Sequence, residues 1–250
     1  MKIKAFLFVG TILVLIFNFS SIQAQDSISE CDRLYTEIQD MIAAKKLFSN
    51  YLNLLPTAEN KYEVYWRLAR IHYLIGIYSE DKKEQKTVFS QGIYYGKKAV
   101  NLEPEKPDGY YWLGVNYGKY GEVKGVLKSL SLVNPIKDAM NKVIELDPTY
   151  EDGGAYKVLG RVYFKLPGFA GGSKEKSLEH LLKSKELDSN DALTRLYVAD
   201  TYLALKRIDE SREELEYIMN MPDDPRWIYQ VEQCKEGAKR MLRKKEFRKK

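Results

Sequence analysis

Two histidines and two cysteines are the side chains best suited to metal or nucleophilic chemistry here, and their positions set narrow limits. His72 and His180 stand far apart, and no His-Glu-x-x-His or Cys-x-x-Cys spacing occurs, so a zinc site is not expected. Cys31 and Cys234 lie near opposite ends of the chain. If the chain is extended, its ends are too far apart for a disulfide. They read as two isolated thiols. The stretch from Gly168 to Ser173 is glycine-rich but lacks the Gly-Lys-Ser/Thr ending of a phosphate loop, and no strand precedes it. It reads as a loop between helices, with Ser173 as the cap of the next helix. Acids are numerous, yet none form a recognisable catalytic pair. The expectation is a protein that is not an enzyme and carries no cofactor and no metal.

What remains is recognition. Tyrosine is frequent, with 19 residues. Trp66, Tyr73, Tyr111 and Phe164 fall where the first helix of a repeat unit would face a concave surface. Arg70, Lys119, Arg161 and Lys165 share that expected face. Aromatic rings mixed with cations suit a peptide or an anionic small molecule. These eight residues are the candidate partner- or ligand-binding surface.

The elements that would position them come from an internal repeat. A small or apolar pair is followed three residues on by an aromatic ring: Leu113-Gly114 with Tyr117, Leu159-Gly160 with Tyr163, Val198-Ala199 with Tyr202. Leu68-Ala69 with His72 is a fourth copy, and His72 there reads as a packed side chain. Each copy leads into an apolar helical stripe and then a polar turn: Leu102 to Pro104, Leu146 to Pro148, Leu187 to Ser189. Small residues let antiparallel helices approach, and bulky residues at helical spacing fill the groove between them. Proline stops the second helix. One helix pair cannot bury its apolar face alone, so pairs must stack.

These residues resemble the tetratricopeptide repeat, TPR, which has a period of 34 residues. The resemblance implies an all-α, right-handed α-solenoid of about eleven helices. Five units are expected over 25–58, 62–106, 107–150, 153–190 and 192–225, so the array covers 25–225. A capping helix with a basic tail follows over 226–250. Trp227, Tyr229, Val231 and Met241 would form its inner face. The middle three units are expected to carry insertions at about 78–88, 121–135 and 166–174.

The segment from Tyr163 through Pro167-Gly168-Phe169-Ala170-Gly171-Gly172-Ser173, running into Leu178, Leu181, Leu182 and Leu187, narrows the resemblance. It is similar to a loop in two groups: the periplasmic T component associated with TRAP-type solute transporters, and the regulator-of-microtubule-dynamics family of eukaryotes. The N-terminal segment favours the first. Lys2 and Lys4, an apolar run from Ala5 to Phe19, and small residues up to Ala24 have the order of a signal peptide over 1–24. The alternative is an uncleaved membrane anchor. A bacterial periplasmic or cell-envelope location is therefore expected.

Removing residues 1–24 takes away two lysines and no acid, so the net charge falls from +5 to +3. Eight of the last twelve residues are basic, with Glu246 the only acid among them. The basic balance belongs to this tail and not to a nucleic-acid-binding face. The tail suits either a solvated helix end or peripheral contact with anionic lipid or an acidic partner. Two functions stay open. One is an exported scaffold or adaptor that binds protein, such as the solute-binding subunit of a transporter. The other is a periplasmic carrier of a small apolar or anionic ligand in the solenoid groove.

Overall fold

The computed structural model describes residues 27–222 and 228–247. The 1–24 segment, Trp227 and the last three residues lie outside them, and so does the side chain of Tyr229. Among the described residues there are eleven α-helices and no strand. They are α1 (27–35), α2 (Met41–Leu54), α3 (Lys61–Tyr78), α4 (Lys82–Leu102), α5 (Pro107–Lys124) and α6 (Val133–Leu146). Then follow α7 (Tyr150–Lys165), α8 (Lys174–Leu187), α9 (Ala192–Ala204), α10 (Ile208–Asn220) and α11 (Ile228–Leu242). None of the described helices is long and apolar enough to cross a membrane.

Short polar residues start several of these helices. Asp40, Asn60, Asp81, Ser173 and Asp191 each accept a backbone N–H from the first turn, at 2.8–3.1 Å. Each cap satisfies a donor that the helix itself cannot, worth about 1 kcal/mol. Pro107 opens α5, where its missing N–H costs nothing.

From α2 onward each helix packs on the next, and α3, α5, α7 and α9 also touch in series. The fold is therefore a solenoid of stacked helix pairs, with α11 laid on α9 and α10. The small residues of the repeat set the spacing. A Cβ on Gly114 would stand 2.3 Å from Met140 Cε, and one on Gly160 would stand 2.6 Å from Leu181 Cγ. Leu68, Ala69, Leu159, Val198 and Ala199 are buried around these contacts. Each large side chain removed from water there contributes about 1.5–3 kcal/mol. The core follows the array as clusters between neighbouring pairs, ending in one where Val231, Cys234, Ala238 and Met241 of α11 meet Ala199, Leu215 and Ile218.

Residues 78–88 differ from the expected insertion. Helix α3 runs to Tyr78 and α4 begins at Lys82, so only three residues connect them. The polar run Lys82-Lys83-Glu84-Gln85-Lys86 has no apolar period but consists of good helix formers. Elsewhere short 3-10 turns fill the connections: Val126–Leu132 after α5 and Gly168–Ala170 after α7.

His72 is buried, with Nδ1 2.6 Å from the Leu68 carbonyl and its ring against Phe48 and Tyr95. Burial lowers its pKa, which favours the neutral ring. Cys31 and Cys234 are buried free thiols in separate clusters. Burial pushes the Cys234 thiol up to about 12, so it is not a reactive thiolate.

Candidate ligand-binding groove

A cavity of about 1050 Å³ runs along the first helices of the pairs, from Tyr35 at the end of α1 to Val231 on α11. Six of the eight expected residues line it: Arg70, Tyr73, Tyr111, Lys119, Arg161 and Lys165. Trp66 and Phe164 do not. Trp66 is buried, donates to Glu63 Oε2 at 3.0 Å and lies under the Arg67 guanidinium. The Phe164 ring is covered instead by the Arg161 guanidinium at 4.8 Å and by Lys174 Nζ at 3.7 Å.

The groove has two chemically different parts. Where α5, α6 and α7 meet, Trp112, Val115, Leu132, Ile136, Val158 and Val162 make an apolar chamber. Around it stand charged side chains, most of them paired. Arg161 Nη1 donates to Asp200 at 2.9 Å, and its guanidinium lies over Tyr197 and Phe164. Lys119 pairs with Glu122 at 3.1 Å, and Lys157 with Asp191 at 2.5 Å. Arg70 bonds Asp32 and Tyr51 and covers the Tyr35 ring at 3.8 Å.

Lys165 has no ion pair among the described residues. Burial and repulsion from Arg161 lower its pKa, so a bound anion would find there a cation short of partners. Three N–H groups of groove-lining residues are also short of partners. Arg70 Nε, Arg161 Nε and Trp112 Nε1 are buried and find no acceptor among the described residues. A buried donor left unpaired costs about 1–3 kcal/mol. All three are donors on residues that line one groove, although the N–H groups themselves are closed off from it.

The start of α7 forms one lip. Glu151, Asp152 and Gly153 are consecutive left-handed residues, with φ of 49°, 51° and 77°. Glycine takes this conformation freely, while for Glu and Asp it is strained. A Cβ on Gly153 would meet Leu187 at 2.5 Å, which fixes glycine there. Burial raises the Glu151 pKa, with Arg70 and Lys157 pulling the other way.

Several groove residues lie beyond the eight singled out from sequence. Lys157 is four residues before Arg161 on α7, so the same helical spacing that gave Arg161 and Lys165 points to it. Trp112 and Tyr197 had no comparable signal, because their ring positions also serve as core in a repeat. Among the described residues, no group of three or more His, Cys, Asp or Glu side chains could hold a metal ion.

The family model for regulator of microtubule dynamics protein 1-3 matches residues 27–170, more than half of the chain. The chain belongs to this family. Of the two groups that the Pro167–Ser173 loop suggested, the match is to the regulator family and not to the TRAP T component. Regulator of microtubule dynamics protein 3 of Rattus norvegicus is 24% identical over 174 residues, which are 63% of this chain and 36% of that protein. Regulator of microtubule dynamics protein 1 of Mus musculus is 25% identical over 162 residues, 57% of this chain and 52% of that one. The chain thus spans about a third to a half of the length of these regulators. Among solved structures, a thermophilic TPR protein from Thermus thermophilus aligns with a TM-score of 0.63 at 17% identity. That alignment covers 84% of this chain and 98% of that one, and it establishes the TPR-like solenoid fold for this member of the regulator family.

Proposed function

We propose that this chain acts by recognition, and that its groove captures an elongated amphipathic anion, an apolar chain carrying an acidic head. The observation that carries this reading is the coincidence of unpaired N–H donors and an unpaired lysine with an apolar chamber in one cavity. Acceptor oxygens would neutralise Lys165 and, with a side-chain shift that uncovers them, satisfy Arg161 Nε and Trp112 Nε1, while the chamber between α5, α6 and α7 takes the apolar part. A preformed groove loses little ordering entropy on binding. The reading includes no catalytic step.

The test is native mass spectrometry of the purified full chain, followed by titration with a fluorescent fatty-acid analogue and competition by oleate. Saturable binding, displaced by oleate and weakened in Lys165→Met, is expected. A chain that neither retains an acidic amphiphile nor binds the probe sinks the proposal.

A second reading is a scaffold for protein partners. It is favoured by the TPR-like fold and by the length of the groove, which extends over almost the whole array. Regulation of microtubule dynamics, from the relatives' names, and a place beside a solute transporter, from the loop resemblance, are both forms of this reading. A crosslinked pull-down from the native cell separates them by the partner recovered. An exported location stays a proposal from residues 1–24, tested by protease protection in intact cells.

A further inference from the structure

Among the described residues, the most exposed large apolar side chains are Phe169, Ile42 and Leu127, at 82%, 80% and 68%. Phe169 and Leu127 sit on the two 3-10 turns that leave α7 and α5. Because α5 and α7 pack side by side as first helices of neighbouring pairs, these turns open on the same edge of the solenoid. Val126 and Leu166, close in sequence to the two tips, line one groove, which places both turns at its border.

The tips are held out by ordered backbone. The Phe169 turn is closed by Ala170, Gly171 and Gly172 N–H bonds to the Pro167 and Gly168 carbonyls, at 3.0–3.1 Å. Ser173 N–H ties it to the Tyr163 carbonyl at 3.1 Å. Ser129 Oγ fastens the Leu127 turn through the Gly121 and Gly125 carbonyls, at 3.1 and 2.9 Å. An apolar side chain fixed in water by a hydrogen-bonded turn gains nothing for the folded chain alone. Its burial against another apolar phase would gain about tenfold or more in affinity per side chain.

The charge around the tips says what that phase is. Lys124, Lys128 and Lys176 are exposed beside them and lie outside the groove lining. No acid occurs from 123 to 137 or from 153 to 174; Glu122, which pairs with Lys119, Asp138 and Glu175 stand at the margins of these stretches. Ile42 lies instead beside Glu37 and Asp40 and is not part of this patch. Apolar tips ringed by lysines on a rigid edge fit an anionic bilayer surface, with the tips in the acyl boundary and the ammonium groups at the headgroups.

We infer that this edge is a peripheral membrane-docking surface, anchored by Leu127 and Phe169 and selected by the surrounding lysines for anionic lipid. The inference is independent of what the groove holds. It also differs from contact through the basic C-terminal tail, which lies on another part of the chain.

The experiment uses the full chain with a polarity-sensitive fluorophore on Leu127→Cys, Phe169→Cys or, as a reference, Tyr94→Cys on the exposed face of α4. Cys31 and Cys234 are buried and label poorly. Vesicles are phosphatidylcholine alone or mixed with phosphatidylserine. A blue shift at 127 and 169 with the mixed vesicles, absent at 94 and absent with phosphatidylcholine alone, is expected. Lys124→Gln and Lys128→Gln should each raise the lipid needed for half the shift about fivefold. No shift at 127 and 169, or an equal shift at 94, overturns the inference. So does a shift that appears without vesicles as protein concentration rises, which would make a second copy of the chain the occupant.

Discussion

Lys157 Nζ lies 2.5 Å from Asp191 Oδ2, joining α7 to the residue that caps α9. Asp191 also accepts the Leu193 N–H at 2.9 Å and the Thr194 hydroxyl at 2.7 Å. One carboxylate thus starts a helix, fixes a neighbouring side chain and binds a lysine from the adjacent unit. Both members of the ion pair are largely buried, at 19% and 11% exposure.

Lys157→Ala leaves that carboxylate buried without its cation, and the loss expected is about 3 kcal/mol of folding stability. Urea unfolding checks it. A loss under about 0.5 kcal/mol would class the pair with exposed ion pairs, which contribute little. The double variant with Asp191→Asn should lose less than the two single changes together, because each single change strands the other partner.

The same pair predicts the acid limb of stability. Burial opposes ionisation of Asp191, but the charge and hydrogen bond of Lys157, with Thr194 and Leu193, hold its pKa below the usual value. A carboxylate with a lowered folded pKa stabilises the fold above its unfolded value of about 3.9. That contribution is lost as pH falls through the folded value. Asp32, held low against burial by Arg67 and Arg70, acts in the same direction. The Tm should therefore fall in two stages, first below about pH 6.5, where the unfolded chain protonates His72, which the fold keeps neutral, and again below about pH 4, the second stage being smaller in Asp191→Asn. An acid limb below about pH 4 that is unchanged in Asp191→Asn would contradict this assignment.

The helix pairs were legible because their contacts repeat. Leu113-Gly114, Leu159-Gly160 and Val198-Ala199 sit at the positions where helices approach, and the structure buries them there. The groove was legible only in part. Arg70, Tyr73, Tyr111, Lys119, Arg161 and Lys165 could be placed from helical spacing. Trp66 could not be separated from them, since one turn of α3 decides whether a ring meets the groove or an arginine of its own helix. The left-handed residues at 151–153 carry only one glycine, so Glu151 and Asp152 gave no sign of the bend that brings them to the lip.

Lys206 offers a test of local backbone strain away from the groove. It follows α9 with φ of 62°, and its N–H closes on the Leu203 carbonyl at 3.1 Å. Glycine is the preferred residue just past a helix end in this conformation. Lys206 is exposed, so Lys206→Gly removes strain and little else. A stabilisation of about 1 kcal/mol is expected, read as a raised Tm. A lowered Tm would mean that the lysine side chain makes a contact worth more than the strain.

Arg161→Lys separates the charge of the groove from its geometry. Arg161 bonds Asp200 through Nη1, lies over the Tyr197 ring at 4.3 Å and keeps Nε buried without an acceptor. Lysine retains the charge and can still reach a carboxylate, but it has no planar face and no Nε–H. If the groove holds an anionic head at Nε, the variant loses one charge-assisted hydrogen bond. That is about tenfold in affinity for the fatty-acid probe, from about 1.5 kcal/mol. Stability of the ligand-free chain should change little, because lysine removes a stacking contact and an unsatisfied buried donor together. Probe titration and thermal melting of the same samples give both numbers. Unchanged affinity would place the anion elsewhere in the groove, with Lys165 the next position to replace, whereas a large fall in Tm would make Arg161 a structural bridge to Asp200.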